Sequence, residues 1–287
     1  MIAVTGATGQ LGRLVINALL KKVPAREIIA AVRSPDKASD LAALGVEVRE
    51  ADYTKPDSLL SAFSGVDKLL LISSSEIGQR TPQHQSVIEA AQQAGVKRLA
   101  YTSLLHADTT TMALGTEHRD TEAALIASGI PYAILRNGWY SENYAASIDA
   151  AISYGAFIGA AKEGRIASAS REDYADAAAA VLTGSDTDNK IYELAGDTAY
   201  TLAEFTAEIA QQSGKAINYV NLPPAEFAVA LKGAGLPVPL AEMLADSDAH
   251  AAQGALFDDG HTLSQLIGRP TTPWQQVVKE FVAKVKA

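Results

Sequence analysis

Three glycines, Gly6, Gly9 and Gly12, recur at intervals of three in the run Val4-Thr5-Gly6-Ala7-Thr8-Gly9-Gln10-Leu11-Gly12. Such a run suits dinucleotide binding when it joins a strand to a helix. One glycine makes the tight turn, another lets the backbone approach a pyrophosphate, and another lets the helix pack closely on the strand. Free amides at the helix N-terminus then face the phosphates. The expected phosphate cradle is therefore Gly6, Thr8, Gly9, Gln10, Leu11 and Gly12. Its GxxGxxG spacing departs from the common GxGxxG, so its place at the first strand–helix junction carries the reading.

The end of the second strand selects the dinucleotide. An acid there bonds a ribose 2′-hydroxyl, whereas an arginine accommodates a 2′-phosphate. Here the strand ends Ala31-Val32-Arg33-Ser34, about 20 residues past the glycines, as the fingerprint asks. Arg33 therefore favours NADP(H), with Lys37 able to add charge and Arg13 able to stack over the adenine. Asp36 is acidic and close, which leaves NAD open. Asp52 follows the third strand, where its carboxylate could accept the adenine amino group. Ser73, Ser74 and Ser75 end the fourth strand and offer hydroxyls to a ribose. Each of these can also be a cap or a turn residue.

These residues need a frame that brings strand ends to one edge. Short apolar runs stand at Ile2–Thr5, Ile28–Val32, Val46–Val48, Lys68–Ile72, Arg98–Thr102 and Tyr132–Leu135. Helical segments separate them, and Gly45, Gly65, Gly95 and Gly129 each punctuate a helix end before a strand. Strands alternating with helices imply crossovers and a parallel sheet covered on both faces. The expected fold class is α/β, a Rossmann-like doubly wound parallel sheet with a smaller, mainly helical C-terminal lobe. Residues 1–136 form the nucleotide-binding domain, completed by 171–196. Residues 137–170 are a substrate-side segment, and 197–287 the small lobe.

Composition narrows the partners. Among 287 residues there are 24 basic and 33 acidic side chains, a net charge of −9, and no cysteine. The acidic balance argues against nucleic acid as a partner. Thiol catalysis, iron–sulfur clusters and cysteine-ligated zinc are excluded together. The five histidines show no metal-ligand spacing, so no metal is expected. The start MIAVTGATGQ has no basic segment followed by an apolar one, and no apolar run nears the roughly 20 residues of a membrane helix. The expectation is a cytoplasmic protein with no membrane partner.

The motifs GATGQLG, LLLISSS, AYTSLLHAD and Ile134-Leu135-Arg136-Asn137-Gly138-Trp139-Tyr140-Ser141-Glu142-Asn143-Tyr144 resemble those of the NmrA-like atypical short-chain reductases. The resemblance runs essentially end to end and includes LIGRPTTP near Pro270. It implies NADPH-dependent reduction in a cleft between a Rossmann domain and a small C-terminal lobe, with quinones or triphenylmethane dyes as acceptors. It also leaves room for a non-catalytic NADP(H)-binding redox sensor that regulates a protein partner.

The acid–base pair usual in short-chain dehydrogenases, Tyr-x-x-x-Lys, is missing. Four residues after Tyr101, Tyr132, Tyr140 and Tyr144 stand Leu105, Arg136, Tyr144 and Ile148. A quinone suits that gap, because hydride addition gives a hydroquinone anion that water can protonate. The protein then supplies mainly proximity and orientation. The segment after the sixth strand is the expected acceptor side. Asn137 and Gly138 meet the nicotinamide, Trp139, Tyr140 and Tyr144 offer flat faces, and Asn143 donates to a quinone oxygen. His106 is a candidate proton donor or orienting group, or a surface histidine. Arg171 is a candidate phosphate contact, or a helix-start ion pair.

Overall fold

The computed structural model describes residues 1–186 and 188–286. Its first half alternates strand and helix: β1 (Ile2–Thr5), α1 (Gln10–Leu20), β2 (Ile28–Val32), α2 (Ser39–Ala43), β3 (Glu47–Glu50) and α3 (Pro56–Ala62). β4 (Lys68–Leu71), α4 (Arg80–Gln93), β5 (Arg98–Leu104), α5 (Ala113–Ala127) and β6 (Tyr132–Asn137) continue the alternation. Next come α6 (Ser141–Ala145), α7 (Ile148–Tyr154), β7 (Ala156–Gly159), α8 (Arg171–Thr183) and β8 (Lys190–Leu194). The rest runs α9 (Leu202–Ser213), β9 (Asn218–Asn221), α10 (Pro224–Gly233), α11 (Val238–Ala251), α12 (Thr262–Ile267) and α13 (Trp274–Lys286). No helix among the described residues is long and apolar enough to cross a membrane.

The chain divides into two compact units. The first comprises Met1–Ala107, Thr116–Asn137 and Arg171–Glu193. Its strands build a sheet in the order β3-β2-β1-β4-β5-β6-β8, with parallel pairing from β3 through β6. β1, β2 and β5 are buried at every residue, which explains why they read as unbroken apolar runs. Leu69, Leu71, Tyr101 and Ile134 share one cluster with Leu59 of α3, Phe63 just past its end, and Val87 and Ile88 of α4. Strand alternation turns Val4, Leu70 and Leu135 to the opposite face, where they are equally buried. The order reverses between β1 and β4, so the crevice outside their carboxyl ends is the topological switch point where such sheets bind ligands.

The second unit comprises Asp108–Gly115, Gly138–Ser170 and the chain from Leu194. It is not purely helical: β7 and β9 form a two-stranded parallel sheet, Ala156 opposite Asn218 through Gly159 opposite Asn221. The sequence reading missed both strands because each has four residues and β9, Asn-Tyr-Val-Asn, is largely exposed. Phe205 of α9 centres its core, with ring centroids 5.4 Å from Tyr200, 5.6 Å from Phe157, 5.8 Å from Trp274 and 6.1 Å from Tyr144. A capping box of Thr201 and Glu204 starts that helix.

Candidate active site

The loop between β1 and α1 is shaped by its glycines. Gly6 has φ +59°, in the left-handed region. A Cβ on Gly12 would stand 2.3 Å from the Gly6 carbonyl oxygen and 2.7 Å from Ala7 Cα, so only glycine lets the helix start this close to the strand. Gly9 N donates to Gly6 O at 2.9 Å and closes the turn. The first bond into the helix runs from Arg13 N to Gly9 O at 3.0 Å, leaving the Gln10, Leu11 and Gly12 amides ahead of the intrahelical ladder. Gly9 is the N-cap, no side chain caps the helix, and its first turn holds no acid. The positive end of α1 is therefore uncompensated at the exposed residues Gly9 and Gln10, which fits an anion.

The flanking strand ends are tied to this loop. Thr5 Oγ1 accepts from Ile72 N at 3.0 Å, and Tyr53 OH donates to Ile72 O at 3.0 Å, with Thr5 Oγ1 2.6 Å away. Ser73 N donates to Thr102 Oγ1 at 2.9 Å, and Ser74 Oγ accepts from Glu76 N at 3.1 Å, while Ser75 is exposed. Arg33 projects into solvent and pairs with Glu76 at 3.0 Å. Arg13 bonds Asp40 of α2, Lys37 O and Thr8 O, tying the glycine loop to α2 and the segment before it.

Asp52 follows β3 and caps a turn. Its Oδ1 accepts from Thr54 N at 3.0 Å and from Thr54 Oγ1 at 2.8 Å, with Lys55 Nζ 3.6 Å from Oδ2. The Thr54 amide is the first cause holding its carboxyl below the ordinary range.

At the far end of the sheet, Arg136 is buried and bidentate on Glu122, at 3.0 and 2.7 Å, with Glu193 at 2.8 Å. Ser103 Oγ donates to Glu122 at 2.5 Å. The second oxygen of Glu193 accepts from His106 N at 2.8 Å and so holds His106 at φ +53°. The half-buried imidazole is presented by a residue in a conformation that costs a non-glycine side chain about 1–3 kcal/mol. These partners lie 14 and 57 residues from Arg136, and no local spacing in the sequence reveals them. Asn137 ends β6 beside Arg136; it is buried, and its Oδ1 has no hydrogen-bond partner among the described residues. An orphaned acceptor at a strand's carboxyl end fits a ligand donor. Arg171 is the half-buried first residue of α8.

In the second unit, Gly138 N donates to Leu194 O at 2.7 Å and Ser141 N to Ala169 O at 2.9 Å, fixing the chain on either side of Trp139 and Tyr140. Trp139 is buried, while Tyr140 and Asn143 are half-buried. Tyr144 is a correction. Its ring joins the aromatic core, and its hydroxyl donates to Asp248 at 2.8 Å, so it presents no open flat face. Tyr140 is the extended residue ahead of α6, whereas Tyr144 sits within it.

Residues 6–185 match a family described as NAD(P)H-binding. The chain is 61% identical to quinone oxidoreductase 2 of Escherichia coli, across 98% of each chain. The structure superposes with TM-score 0.95 on an E. coli NADPH-dependent quinone oxidoreductase complexed with NADPH, at 60% identity, covering 98% and 99% of the chains. Triphenylmethane reductase of Citrobacter sp., complexed with NADP(H), superposes with TM-score 0.94 at 41% identity, covering 98% and 100%. The loop-first cradle, the switch-point sheet and these likenesses agree, and the chain belongs to the NAD(P)H-binding family.

Proposed function

We propose that this protein is a cytoplasmic NADPH-dependent quinone reductase. The observation that carries the reading is likeness to a quinone oxidoreductase along essentially the whole chain, 61% over 281 residues. The glycine-loop amides would hold the pyrophosphate, Arg33 the 2′-phosphate and the Ser73–Ser75 strap a ribose. Asn137 Oδ1 would accept from the nicotinamide carboxamide, and Arg171 would add a phosphate contact. When bound, NADPH supplies the hydride equivalent.

The chain's own part is to orient a flat acceptor. Gly138–Asn143 continues directly from the carboxyl end of β6, the edge at which ligands bind in such sheets. Asn143 would donate to one quinone oxygen, and Trp139 and Tyr140 would bound the acceptor. His106, held by Glu193, would orient or protonate the second oxygen. No tyrosine–lysine acid is needed, because aromatisation stabilises the hydroquinone anion and water can complete it.

The test is loss of nicotinamide absorbance on adding simple quinones to enzyme and NADPH. Turnover is expected. A protein that binds NADPH and turns over no quinone in a broad panel would be a sensor.

A further inference from the structure

Behind the serine strap stands a fully buried histidine that the proposed chemistry does not use. His84, on α4, has no accessible surface. Its Nε2 lies 2.9 Å from Ser74 N, and a backbone N–H can only donate, so Nε2 carries no proton. Its Nδ1 lies 2.9 Å from Thr121 Oγ1, whose own proton goes to Glu117 O at 2.8 Å. Nδ1 must therefore be the protonated nitrogen. The hydrogen-bond partners select one tautomer and leave the ring no rotational choice.

The strap receives help from both sides of that contact. Thr102 Oγ1 accepts from Ser73 N at 2.9 Å, and Arg80 Nε donates to Ser74 O at 2.5 Å. Two consecutive amides and one carbonyl are thus taken by side chains from β5 and α4. The strap continues from Ile72, whose Cβ would lie 3.7 Å from a Cβ on Gly6. The strap is tied to the strand before the glycine loop by Ile72 N, which donates to Thr5 Oγ1 at 3.0 Å. Tyr53 and Tyr101 wall the imidazole edge-on, at centroid distances of 6.4 and 5.5 Å. Burial first, then the Arg80 charge, pushes the His84 pKa down to about 3. His118, beyond Tyr101, is likewise held neutral by burial, and burial raises both tyrosines.

We infer that His84 is a positioning residue for the cofactor: as a locked Nδ1–H tautomer it fixes the Ser74 backbone and, through it, the ribose-facing strap. This rests on the NADPH reading. Two variants separate the two bonds of the ring. His84→Gln can place its amide oxygen where Nε2 accepts from Ser74. His84→Asn can reach only toward Thr121 and leaves the Ser74 amide without an acceptor.

The experiment measures NADPH dissociation constants and the split between KM and kcat for both variants of the full chain, with ¹⁵N shifts of the wild-type imidazole. The expected ring shows one protonated and one bare nitrogen, unchanged from pH 5 to 8. His84→Asn should weaken NADPH about tenfold, the effect of one hydrogen bond lost from the strap. Its kcat should stay within about twofold, and His84→Gln should recover most of the affinity. Equal affinities in the two variants, or an Nε2–H tautomer, would overturn the inference while leaving the enzymatic reading intact. A wild-type protein that fails to bind NADPH would overturn both.

Discussion

Arg33 Nη1 lies 3.0 Å from Glu76 Oε1, which joins the residue after β2 to an acid beyond β4. The strand order places β1 between them, so the pair spans the carboxyl end of the strand that feeds the glycine loop. The ion pair crosses the place where a dinucleotide's adenosine half is proposed to lie. Glu76 is itself fixed, since its other oxygen accepts from Gln83 Nε2 at 2.8 Å.

Arg33→Ala should separate NADPH from NADH. Hydrogen bonds to a charged group contribute about 1.5–3 kcal/mol, roughly ten- to a hundredfold in affinity. NADPH binding should fall by that factor and NADH binding by no more than about threefold, as measured by titration calorimetry. Equal losses for the two cofactors would remove the 2′-phosphate role from Arg33.

Glu76→Gln should act in the opposite direction. An exposed ion pair is worth at most about 1 kcal/mol, so releasing Arg33 should tighten NADPH by up to about fivefold. NADH should be unaffected, and the gain should shrink as salt screens the pair. Weaker NADPH binding in the variant would instead mean that Glu76 helps close the site over the nucleotide.

The legible parts of the fold were those with local causes. β1 and β2 fall on Ile2–Thr5 and Ile28–Val32 as read, because strands buried on both faces leave continuous apolar runs. Gly45, Gly65, Gly95 and Gly129 all take φ between +72° and +83°, because each ends a helix in the left-handed region. The turn between β1 and α1 was legible for a similar reason, since Gly6 takes φ +59° and Gly12 leaves no room for a side chain. What remained hidden is long-range. Glu193 reaches Arg136 across 57 positions, and His84 reaches Thr121 across 37, without any repeating pattern. Tyr144 was misread because an aromatic residue looks alike in sequence whether it lines a pocket or joins a core. Only Phe205 and Asp248, brought near by folding, decide between these.

Asn143→Ala tests the acceptor side. Its loss should lower quinone turnover about tenfold, the effect of one neutral hydrogen bond in an orienting role. NADPH affinity should stay within about twofold, because the change touches neither the glycine loop nor Arg33. Stopped-flow single turnovers would separate binding from transfer. A drop in NADPH affinity with normal transfer would move Asn143 to the cofactor side.

Asp248 gives a stability test that is independent of activity. It is buried and accepts two hydrogen bonds, from Tyr144 OH and Ala160 N, both at 2.8 Å. Burial pushes its carboxyl up to about 6, against the lowering effect of those two donors. The folded pKa therefore lies above the unfolded one. The group's favourable contribution is complete below the unfolded value and is lost as pH rises through about 6. At neutral pH the buried charge costs on the order of 2–3 kcal/mol. Asn at this position can still accept from Ala160 with its oxygen and donate to the Tyr144 oxygen with its amide. Asp248→Asn should accordingly raise Tm by several degrees at pH 8, and the gap should close between pH 6 and 4. Thermal scans across that range decide the matter: a difference that does not change with pH would show that Asp248 carries no buried charge.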